Sequence, residues 1–110
     1  MKILAKVIDY SSNKPRGHTL CLSIDKGDAG KVPYDENLPP RRYVPITLVV
    51  NGVVYDARLF ARPKVPYVWI STTLKRNGRL ERLATVLTAC GIDMGDRVQL
   101  EVVGAQVTLI

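Results

Sequence analysis

RRYVPITLVVNGVVYDARLFAR, Arg41 to Arg62, is the stretch whose reading decides the fold. Asn51-Gly52 separates two runs rich in β-branched and aromatic residues, which is the strongest short-range signal for a two-residue type I′ hairpin turn. The turn sets the register, because Val50 must face Val53 and every other opposite pair follows from that one. One face then carries Val44, Ile46, Leu48, Val50, Val53, Tyr55, Ala57 and Leu59, a core surface. The other carries Tyr43, Pro45, Thr47, Val49, Val54, Asp56, Arg58 and Phe60. At the open end of that second face the pairing sets Arg41 against Arg62 and Tyr43 against Phe60.

Outward from the hairpin, Lys2–Tyr10 and Thr19–Asp25 read as strands joined by a loop of turn formers and cations, SSNKPRGH. KGDAGKVPYDENLPPRR is a long polar connection. VPYVWIS is a further strand, with Trp69 expected to plug the interior. STTLKRNGRLERLATVLTACG is expected to hold one helix, with Leu80, Leu83, Ala84 and Leu87 on one side and Gly91 as its stop. Lys75, Arg76, Arg79 and Arg82 then cluster near the helix start, where the helix dipole disfavours cations. RVQLEVVGAQVTLI is a final hairpin turning at Gly104-Ala105, with Val98, Leu100, Val102, Val107 and Leu109 facing inward. The expected architecture is mainly β with one α-helix: a small open seven-stranded pseudobarrel, mixed but mostly antiparallel, forming one domain over 1–110.

Composition narrows the function. The 110 residues are 46% hydrophobic, as in a globular domain, and no run approaches the ~20 apolar residues of a membrane span. The first ten residues alternate and lack a small-residue cleavage site, and Cys21 and Cys90 read as free thiols, so a reducing cytoplasm is expected. His18 is the one histidine, so no nucleophile–histidine–acid set can be assembled. No glycine-rich phosphate loop and no carboxylate cluster suited to magnesium is present, and Asp93 and Asp96 read as turn residues. A non-catalytic chain without metal or cofactor is expected.

The charge is unevenly spread. The net charge is +6, yet between Asn37 and Arg82 nine bases stand against two acids, while the remainder is slightly acidic. Such asymmetry points to a polyanionic partner. Two basic loops stand out. In the first, Lys14, Arg16 and His18 are accompanied by Ser12 and Asn13, whose small polar side chains suit phosphate oxygens. In the second, Pro63 and Pro66 stiffen the backbone around Arg62 and Lys64, and a fixed aim is what bidentate recognition of a guanine edge requires. Arg41, Arg58, Tyr67, Lys75 and Arg76 complete the candidate DNA-binding set.

The order of elements and the placement of these loops resemble the DNA-binding pseudobarrel superfamily, that is, the plant B-three transcription-factor domains and the effector domains of EcoRII-type restriction endonucleases. The resemblance covers nearly the whole chain, and it implies two arms, 11–18 and 62–66, inserted in the major groove of double-stranded DNA. It further implies sequence-specific recognition, often beside a nuclease domain in the same or a partner chain. The last third, LATVLTACGIDMGDRVQLEVVGAQVTLI, is also similar to AbrB/SpoVT transition-state regulators. Two other readings stay open from the residues themselves. One is a single-stranded nucleic-acid barrel with Tyr43 and Phe60 as its stacking surface, and the other is a protein-interaction module.

Overall fold

The computed structural model describes residues 2–9, 20–25, 27, 43–61 and 67–110. Nine strands and one helix follow in the order β1 (Lys2–Asp9), β2 (Leu20–Asp25), β3 (Val44–Val50), β4 (Val53–Phe60), β5 (Tyr67–Ile70), β6 (Thr73–Arg76), β7 (Arg79–Arg82), α1 (Leu83–Ala89), β8 (Arg97–Val103) and β9 (Gln106–Leu109).

The β3–β4 hairpin has the register that Asn51-Gly52 dictates, from Val50 opposite Val53 to Val44 opposite Leu59. Asn51 and Gly52 sit at φ 50° and 78°, the left-handed pair that a type I′ turn needs. The inward face is the one expected: Ile46, Leu48, Val50, Tyr55, Ala57 and Leu59 are all buried.

Seven strands close into a barrel in the order β3-β9-β8-β1-β2-β5-β4, with β4 returning to β3. The expected open barrel is therefore closed. The closing pair is β3 with β9, which run parallel, Thr47 beside Gln106 and Val50 beside Leu109. All the other strand pairs among the described residues are antiparallel, so their mixed character rests on this one seam. Closure removes the open edges a small sheet would otherwise present to other chains. The final hairpin turns at Gly104-Ala105 as expected, with Gly104 at φ 59° and Val98, Leu100, Val102 and Val107 buried.

Residues 73–82 overturn the expected helix start. They form a second hairpin, β6–β7, around Asn77 and Gly78 at φ 51° and 78°. Asn-Gly selects the same turn here as at Asn51-Gly52, and that local preference overrides the helical spacing of the leucines. α1 is confined to Leu83–Ala89, with Leu83, Val86 and Leu87 buried in the core. Arg82 is its N-cap and makes no side-chain capping bond, and the chain enters the helix through the Leu83 N–H donating to the Thr72 carbonyl at 2.9 Å. The C-terminus is a Schellman motif: the Ile92 N–H donates to the Leu87 carbonyl at 2.9 Å and the Gly91 N–H to Thr88 at 3.0 Å, with Gly91 at φ 72°. The following turn is tied to β1, because Gly95 donates to the Val7 carbonyl and Val7 donates to Asp96.

Trp69 also departs from expectation. Val68 and Ile70 belong to the barrel core, so the period of two along β5 puts Trp69 on the outer surface. It is nevertheless only 8% exposed.

Candidate nucleic-acid interface

The β6–β7 hairpin is a ribbon added outside the closed barrel, joined to it where Lys75 pairs with Asp56 of β4. Its two faces do different work. Leu74, buried, and Arg76 and Glu81 lie on the face turned to the barrel. The Arg76 guanidinium is 3.1 Å from the Glu81 carboxylate and lies over the Tyr55 ring, 5.7 Å from its centroid. Burial pushes the Tyr55 phenol up, and the Glu81 carboxylate beside it, which accepts its hydrogen bond, pushes in the same direction. Arg76, Glu81 and Tyr55 thus clamp the ribbon to β4.

The other face is exposed and continuous with the outside of β3 and β4. Register places Thr47, Asp56, Lys75 and Leu80 in one row across β3, β4, β6 and β7. Pro45 and Arg58 face each other in the next row. Tyr43, Pro45, Asp56, Arg58, Lys75 and Leu80 line an open cleft of about 390 Å³. Leu80 is 71% exposed there, the one exposed large apolar side chain on a ribbon otherwise rich in charge.

Arg58 stacks on Tyr43, its guanidinium carbon 4.5 Å from the ring centroid. Tyr43 begins an aromatic ladder that leaves the cleft along the barrel surface. It meets Phe60 at 5.9 Å between centroids, Phe60 stacks on Trp69 at 5.7 Å and 17°, and Trp69 meets the edge of Tyr67 at 5.9 Å. The Phe60–Trp69 contact follows from their pairing across β4 and β5. Such ring pairs contribute about 0.5–1.5 kcal/mol each beyond their burial. The ladder therefore ties the outer faces of β4 and β5 together.

Of the candidate DNA-binding residues, Arg58 and Lys75 come together in the cleft. Arg76 occupies the clamp on the opposite face of the ribbon. Tyr67 stands at the far end of the ladder, beside a second cleft of about 360 Å³ where Lys6 and Arg97 are direct cross-strand neighbours. Ser12, Asn13, Lys14, Arg16, His18, Arg41, Arg62 and Lys64 lie outside the described residues. The sequence reading overlooked the ribbon itself, and with it the position of Leu80; the signal that locates both is the second Asn-Gly pair.

Charge is segregated around the barrel. Among the described residues, β3 to β7 carry five cations (Arg58, Lys75, Arg76, Arg79, Arg82) against two carboxylates (Asp56, Glu81). The rest carry three cations against five carboxylates, including Asp93 and Asp96. Among the described residues, no three His, Cys, Asp or Glu side chains gather as a metal site requires, and no helix is long and apolar enough to cross a membrane. No family model, curated protein or solved structure matches the chain.

Proposed function

We propose that the chain is a non-catalytic, sequence-specific domain for double-stranded DNA that acts in the cytoplasm. The observation that carries the reading is the cationic ribbon β6–β7 standing outside a closed barrel on its positive side. A two-stranded ribbon is one of the two elements that fit the major groove of B-DNA, and a tight Asn-Gly turn keeps this one narrow at its tip. Lys75 and Arg58 supply phosphate contacts from the cleft beside it. The arms at 11–18 and 62–66 then read base edges, Arg62 and Lys64 from a proline-stiffened backbone. A nuclease domain in the same or a partner chain fits a recognition module of this kind.

Fluorescence anisotropy with a randomised duplex pool and with single strands, over a salt series, tests the reading. Duplex binding that weakens linearly with the logarithm of salt is expected. Single strands bound more tightly than duplex favour the stacking-barrel reading, for which Tyr43, 39% exposed at the end of the ladder, is the specific support. Salt-insensitive binding, or none, removes both.

A further inference from the structure

The cleft between β3 and the ribbon has more in it than a phosphate needs. A surface that only holds phosphates gains nothing from a carboxylate, yet Asp56 stands between Arg58 and Lys75 on the same outer face. Nor does a phosphate call for an aromatic ring stacked under a guanidinium at one end and an exposed leucine at the other. Tyr43 and Leu80 both line the cleft from different strands, which leaves room for a nucleoside rather than a bare ion. The volume, about 390 Å³, falls within the ~300–1,000 Å³ of small-ligand sites.

We propose that this cleft is a slot for one unpaired base bearing an exocyclic amine, cytosine or adenine, turned out of a DNA duplex; the proposal rests on the DNA-binding reading above. Tyr43, backed by Arg58, offers the stacking face. Asp56 accepts a hydrogen bond from the amine, as carboxylates do from the amino group of cytosine. Lys75, opposite Asp56 in register, is placed to meet the phosphate of the displaced nucleotide. An unpaired or bulged base enters most readily, because its unstacking cost is already met.

The test compares three probes by anisotropy: a fully paired duplex, the same duplex with one bulged cytosine, and the same duplex with one bulged thymine. The wild-type chain is expected to bind the cytosine bulge about tenfold more tightly than the paired duplex, the worth of one stacked base. Thymine, without the amine, gains less. Asp56→Asn should erase the cytosine-over-thymine difference and Tyr43→Leu the bulge preference, each read as the ratio of bulged- to paired-duplex affinity within the same folded variant. Equal affinity of the wild type for the paired and cytosine-bulged duplexes overturns the slot and leaves the DNA reading standing. Persistence of the preferences in both variants does the same. Loss of binding to every duplex overturns the DNA reading and the slot together.

Discussion

Asn51 and Asn77 hold the same backbone conformation, φ 50° and 51°, and each is followed by a glycine at φ 78°. One turn builds the wall of the barrel and the other builds the ribbon outside it. Added β-carbons at Gly52 and Gly78 meet nothing within 4 Å, so any cost of substitution is conformational rather than steric. Gly52→Ala and Gly78→Ala should each lower unfolding free energy by about 1–2 kcal/mol, the penalty of the left-handed region for an L-residue. Urea denaturation measures this. Gly78→Ala alone should also weaken duplex binding, because it distorts the ribbon.

The two leucines that helical spacing equates should behave differently. Leu87→Ala opens a cavity under the helix and should cost about 2–5 kcal/mol. Leu80→Ala removes an exposed side chain and should stay within about 0.5 kcal/mol of wild type. Equal losses in chemical denaturation would count against the ribbon.

Lys75 and Arg76, adjacent in sequence, point to opposite faces. Lys75→Ala should weaken every paired duplex alike, whatever its sequence, and reduce the salt slope by about 0.9, with stability unchanged. Arg76→Ala should instead cost about 1 kcal/mol of stability, through loss of the Glu81 ion pair and the Tyr55 ring contact. Parallel melting and anisotropy experiments separate the two.

Cys21 is buried, and burial, with the Asp9 carboxylate adding to it, pushes its thiol up to about 12. The folded state holds the proton more tightly than the unfolded chain does. This stabilisation is complete below about pH 9 and is lost as pH climbs towards 12. Cys21→Ala should therefore flatten the fall in stability across that alkaline range. Near neutral pH a small alkylating reagent should modify Cys90, which is only partly buried, while Cys21 reacts on unfolding.

Where chemistry is local, the fold was legible. Asn51-Gly52 dictates its own turn, and the turn dictates which residues of β3 and β4 share the core. The second Asn-Gly pair carried the same message, but Leu80, Leu83, Ala84 and Leu87 repeat at helical spacing and compete with it. Only solvent exposure of Leu80 separates it from the true stripe, Leu83, Val86 and Leu87. Trp69 misled for a related reason: alternation assigns Val68 and Trp69 to opposite faces without saying which face is the interior. Barrel closure was illegible because the β3–β9 seam is made by backbone groups, which leave no mark in side-chain pattern. In the candidate site, Arg58 and Lys75 meet because Asp56 pairs with Lys75, a non-local register fixed by the ribbon.

The seam between β3 and β9 also bears on how the chain comes to be folded during its synthesis. Its partners lie roughly sixty residues apart, and contacts of that span make folding slow. β9 follows the other strands of the barrel in chain order, and until it arrives β3 and β8 each lack a neighbour along one side. A nascent chain stalled before Gln106 therefore holds two bare strand edges ready to pair with whatever is near. Barrel assembly thus waits for β9, and the interval before it is when the protein most needs protection from its own copies.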